Sequence, residues 1–163
     1  MKPVSKYKPL FITLGVFAVL ILLFALPGIL NSKNSLVTGP WASADVGCVN
    51  EALTLAQHFH PNLKIVVDGK DEEVSANIGI TPACAAEIHT HTLGPDDSPG
   101  TLHVETPFAG RTFRLKQFFA VWGETIEREG YSAAMTVDGK PNTELGELVL
   151  TDKQQIVLVY TKQ

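Results

Sequence analysis

The chain has 163 residues, of which 45% are apolar and 18% charged. That composition excludes a disordered or collagen-like chain and suits one domain of ordinary size plus a short extra segment. A net charge of −4 argues against a nucleic-acid partner, which needs a basic surface to displace counterions.

The charges are unevenly placed. All 17 acidic residues lie after position 44, while Lys2, Lys6 and Lys8 crowd the first eight positions. Residues 10–26 carry no charge, and Thr13 is their one conventional polar side chain. Continued through Pro27 and Gly28 to Leu30, the run is long enough to cross a hydrocarbon core of roughly 30 Å as a helix. In that environment only a helix satisfies its own backbone groups, so residues 9–30 are predicted to span a membrane. The lysines before the span, with only Lys33 close behind it, place residues 1–8 in the cytoplasm and the rest of the chain outside, in an extracytoplasmic domain. A cleaved signal peptide is the alternative, because Ala42-Ser43-Ala44 has the form of a cleavage site. It lies far beyond the apolar run, which is itself longer than a usual signal core.

Residues 31–46 are polar, contain Gly and Pro, and are predicted to be a linker to a domain at 47–163. Its two cysteines, Cys48 and Cys84, both lie on the exported side, where oxidising conditions permit a disulfide between them. Two free thiols, or a thiol bound to metal, are the alternatives. No CxxC redox motif is present.

Within the domain, residues 50–57 have the composition of a short helix. Residues 63–67 alternate like a strand and run into the turn Asp68-Gly69, with a return strand expected at 72–76. Residues 78–83 are expected to form a loop. Residues 87–92 and 101–106 are two short alternating segments joined by the turn-rich stretch 93–100, and so form a predicted hairpin. Arg111 and Arg114 fall on an extended segment and are expected to be solvated. Leu115, Phe118, Phe119 and Trp122 form one apolar helical face, closed by Gly123. A strand at 131–137 ends in Asp138-Gly139, and the apolar segment 155–160 is expected to be central in its sheet. The order describes an α+β, mostly-β domain. Its C-terminal part is similar in pattern to the second half of a β-grasp.

The five histidines occur as His58-x-His60, His89-x-His91 and His103-x-Glu105. Residues i and i+2 of a strand share a face. If 87–92 pairs with 101–106, then Ile88, Thr90, Leu102 and Val104 face the core. His89, His91, His103 and Glu105 then share the opposite face, with cross-strand neighbours roughly 5 Å apart. Three imidazoles and a carboxylate are a donor set for a divalent transition metal, with copper or zinc the leading candidates. His58 and His60 are expected to add ligands, to form a second site or to orient the first. Asp96 and Asp97 are expected to cap the hairpin turn or to reach the site. A pH-sensing cluster and plain packing are the alternatives to a metal site.

The blocks His58-x-His60, Asn77-Ile78-Gly79-Ile80, Ile88-His89-Thr90-His91, Leu102-His103-Val104-Glu105 and Val121-Trp122-Gly123 resemble a group of uncharacterised bacterial and archaeal proteins. Those proteins have one N-terminal membrane helix and an exported domain with the same histidine blocks. They usually carry an Asp where this chain has Thr92. The resemblance implies architecture and address rather than a reaction.

Three functions are therefore expected to compete. One is a membrane-anchored metal-handling protein. The second is a metal-dependent enzyme, although no nucleophilic triad, phosphate-binding loop or dinucleotide fingerprint appears. The third is a non-catalytic interaction module of a membrane complex. The bilayer, through residues 9–30, and a membrane-protein partner are the expected associations.

Overall fold

The computed structural model describes residues 37–49, 54–92, 94 and 98–163. The predicted membrane span at 9–30 and the start of the predicted helix at 50–57 lie outside them. Among the described residues no helix is long and apolar enough to cross a membrane.

Among the described residues the domain is sheet-rich, with one α-helix. In chain order the strands are β1 (Cys48–Val49), β2 (Gln57–Phe59), β3 (Asn62–Val67), β4 (Lys70–Glu72), β5 (Ile80–Thr81), β6 (Cys84–Ala86), β7 (Ile88–His89) and β8 (His103–Thr106). Helix α1 (Leu115–Trp122) follows, then β9 (Tyr131–Val137), β10 (Lys140–Asn142) and β11 (Gln155–Lys162). They form a five-stranded sheet in the order β10-β9-β11-β3-β4 and two three-stranded sheets, β1-β6-β5 and β2-β8-β7.

The terminal strand is central, as its apolar run predicts. β11 pairs in parallel with β3 on one side and antiparallel with β9 on the other. Both hairpins of this sheet turn on Asp-Gly. Asp68 and Gly69 have φ of +48° and +77°, and Asp138 and Gly139 have +51° and +76°. Positive φ at both central residues matches the strand twist, which is why Gly occupies the second position each time. A two-residue turn brings the chain back into register at once, so the return strand is Lys70–Glu72 and not 72–76.

Helix α1 buries Leu115, Phe118 and Phe119, and Gly123 ends it at φ +83° with its N–H donating to the carbonyl of Ala120. At its start, Gln117 Oε1 accepts the Arg114 N–H at 2.7 Å. Its apolar face belongs to one core with Leu63, Ile65, Ile88, Leu102, Val104, Ile156 and Leu158.

Three local expectations need correction. Gln57, expected to end a helix, opens β2, because Gln57 through Phe59 pair with Thr106 through Val104 of β8. The expected loop at 78–83 contains β5, which pairs with β6. The described part of the expected linker, 37–46, is packed on the domain: Val46 is fully buried, Trp41 lies against the core, and residues 42–44 form a 3-10 turn. The cause is covalent as well as apolar. Cys48 is bonded to Cys84, with Cα atoms 5.4 Å apart, and its N–H donates to the Thr38 carbonyl.

Arg111 also departs from expectation. Its side chain is only 16% exposed and lies 3.1 Å from the carboxylate of Glu87, which is buried. Arg111 shares the face of the core residue Phe113, with its guanidinium 5.1 Å from the ring centroid. Arg114 is partly exposed and donates to the Glu147 carbonyl.

Candidate metal centre

The small sheet β2-β8-β7 assembles the histidines. β8 is its middle strand and carries His103 and Glu105. On one side His89 of β7 sits opposite His103, and Ile88 opposite Val104. On the other side His58 of β2 sits opposite Glu105, and Phe59 opposite Val104. Alternation then does the rest. Ile88, Leu102 and Val104 are fully buried in the core, and the imidazoles project from the other face.

All five imidazoles meet there. His103 lies in the middle, with its ring centroid 4.3 Å from that of His91, 4.7 Å from His60 and 5.7 Å from His89. His58 and His60 are 4.6 Å apart. The donor atoms fall into two compact sets, His58/His60/His103 and His89/His91/Glu105, each with its atoms within 4.8 Å of one another. These sets could hold a metal ion. The sequence groups His103 with His89, His91 and Glu105; the structure places it with His58 and His60, while keeping it in ring contact with His91. Pro61, which obscures the geometry of 58–60 in the sequence, lies just after β2. The readable signal was the alternation of Phe59 toward the core between two histidines.

His89 is held for ligation. Its Nδ1 lies 2.7 Å from the Ala86 carbonyl. A carbonyl can only accept, so Nδ1 carries the proton and Nε2 presents its lone pair. That Nε2 is 2.9 Å from Nε2 of His91, which donates to it. Two nitrogens on one tetrahedral zinc, with bonds of about 2.0–2.1 Å, stand roughly 3.3 Å apart. Exchanging the shared proton for an ion therefore needs only a slight opening of the pair.

The surroundings hold this face in place. Thr90 Oγ1 accepts the Ile78 N–H and donates to the Ser75 carbonyl, pinning the 75–78 loop beside His89. Gly79, the residue after that loop, has φ +77°, and a Cβ there would come within 2.7 Å of Val121 and 3.2 Å of the His89 Cβ. Thr92 lies on the surface, in hydrogen-bond contact with Asn77. Glu105 contacts His58 Nε2 at 3.1 Å. Asp96 and Asp97 lie outside the described residues. His91 and His103 also line a cleft of about 430 Å³, together with Leu63, Glu72, Val74 and Thr101.

Burial lowers the His89 pKa to about 4, and the neighbouring His91 and His58 add to the depression; the Ala86 hydrogen bond opposes it. His89 is therefore neutral at neutral pH, as a ligand must be. The same shift makes stability pH-dependent. Above pH about 6.5, His89 is neutral in both folded and unfolded chains and contributes no slope. Between about 6.5 and 4 the unfolded chain takes up the proton and the folded one does not, so stability falls with pH. The full shift corresponds to about 3 kcal/mol. Urea denaturation of metal-free protein at pH 7.5 and 4 should reveal this loss, and His89→Gln should flatten the profile. An unchanged slope in that variant would assign the loss to other groups.

No protein-family model matches this chain, and no curated protein or solved structure is significantly similar to it.

Proposed function

We propose that this is a membrane-anchored extracytoplasmic protein that holds a divalent transition metal, copper or zinc, on its histidine face and handles that metal for a membrane complex. The observation that carries the reading is the convergence of six donor side chains, from three strands and the residues just after two of them, into two sets, each within 4.8 Å. Solvated surface histidines have no reason to gather from segments 45 residues apart. The neutral His89, fixed in one tautomer by Ala86, supports ligation over a role as a charged surface group. The anchor and address rest on the apolar run and the lysines before it; the Cys48–Cys84 disulfide suits an oxidising compartment. The strand order also supports a wider β-grasp reading. β3-β4 and β9-β10 are hairpins on either side of a central β11, with α1 between them in sequence, so the likeness extends back to residue 62.

A metal-dependent enzyme is the second reading. The cleft beside His91 and His103 favours it, because an ion with an open position there could meet a substrate or activate a water.

The test is metal content. Purified full-length protein, free of any histidine tag, should retain zinc or copper through dialysis. The double variant His91→Ala/His103→Ala removes one member of each donor set and should lose at least a hundredfold in affinity. Equal retention by both proteins would defeat the metal assignment.

A further inference from the structure

We infer that the histidine face takes two ions bridged by Glu105, an inference that rests on the metal-binding reading above. One four-coordinate ion uses at most four donors, and six are present. The two sets share no residue, so satisfying one leaves the other intact. Glu105 is the exception to their separation. It belongs to the His89/His91 set, yet its Oε1 lies 3.1 Å from His58 Nε2 and 4.0 Å from His103 Nδ1 of the other set. A carboxylate has two oxygens and can give one to each of two ions, and Glu105 is within reach of both sets. Such bridged pairs stand about 3.5–4 Å apart.

The pairing makes the two ions unequal. His58, His60, His103 and the Glu105 bridge complete four ligands for one ion and close it. His89, His91 and the bridge supply three for the other, which keeps an open position, and His91 also lines the cleft. The ion on the His89/His91 side is the one that would meet an exchange partner or a small anionic or carbonyl-bearing ligand.

Metal stoichiometry tests this without any variant. Full-length protein loaded with zinc and dialysed should retain two ions per chain by mass spectrometry of the metal. One ion per chain would overturn the two-ion inference and leave the proposed function standing; none would overturn both. Two single changes then test the partition. His60→Asn and His91→Asn should each reduce the count from two to one. Loss of both ions in either variant, or retention of two, would overturn it. Cobalt(II) gives an independent readout. Wild type should show the weakened paramagnetic signal of a coupled pair, and each single variant the full signal of an isolated ion. Full isolated-ion signals in doubly loaded wild type would remove the Glu105 bridge.

Discussion

Arg111→Ala is expected to destabilise the domain by about 3–5 kcal/mol, the range for removing one partner of a buried ion pair. Glu87 lies where the chain passes from one small sheet to the next: its N–H donates to the Gly47 carbonyl, and its own carbonyl accepts the Glu105 N–H. Its carboxylate is turned inward. It accepts from the Gly47 N–H at 2.8 Å and from the Thr106 hydroxyl at 2.6 Å, with Arg111 at 3.1 Å. These contacts join the 45–49 segment, the end of β8 and the approach to α1. Arg111 further donates to the Asp45 carbonyl at 2.6 Å. Without the guanidinium, a carboxylate that is almost wholly buried keeps two hydrogen bonds and loses its countercharge. Chemical denaturation measures the cost. The double variant Glu87→Gln/Arg111→Ala should be more stable than Arg111→Ala alone, because it removes the stranded charge. A loss below about 1 kcal/mol in the single variant would mean that solvent reaches Glu87 and the pair has little weight.

Reduction of the Cys48–Cys84 bond is expected to cost roughly 3–4 kcal/mol, because it frees a closed loop 36 residues long in the unfolded chain. Thermal unfolding with and without a thiol-free phosphine reductant measures it, and Cys48→Ser/Cys84→Ser should behave like the reduced protein. The loss should reach the candidate metal centre. β6 begins at Cys84 and leads through Glu87 into β7, so its pairing with β1 holds the strand that carries His89. Gly39 packs on the bond itself, where a Cβ would clash with the Cys48 sulfur. Reduced and oxidised protein with the same unfolding midpoint would show that packing alone holds 37–49 in place.

Much of the architecture is local and therefore readable. The Asp-Gly turns, the alternation of Tyr131–Val137, the i, i+3, i+4, i+7 spacing of Leu115–Trp122 and the apolar run in β11 each follow from neighbouring residues. The histidine hairpin is readable for the same reason: alternation places His89 and His91 on one face, and the turn-rich stretch after them returns the chain as Leu102–Glu105. Two of the misreadings are non-local. Residues 50–57 have helical composition, but Gln57 is claimed by pairing with Thr106, and no pattern near position 57 announces a partner so far along the chain. Arg111 looks like a surface residue until the buried Glu87 gives it a partner.

The sequence by itself determined that the histidines come in strand-spaced pairs, that one pair of segments forms a hairpin, and that the two cysteines are free to meet. Those properties depend on backbone period and composition, which a chain carries wherever it folds. Tertiary structure alone decided that β2 adds His58 and His60 to the far side of β8, that His103 groups with them, and that Glu105 stands between the two donor sets. Those outcomes depend on which strand edges remain available for hydrogen bonding once Phe59, Ile88, Leu102 and Val104 have packed inward, and that competition is settled across the whole domain.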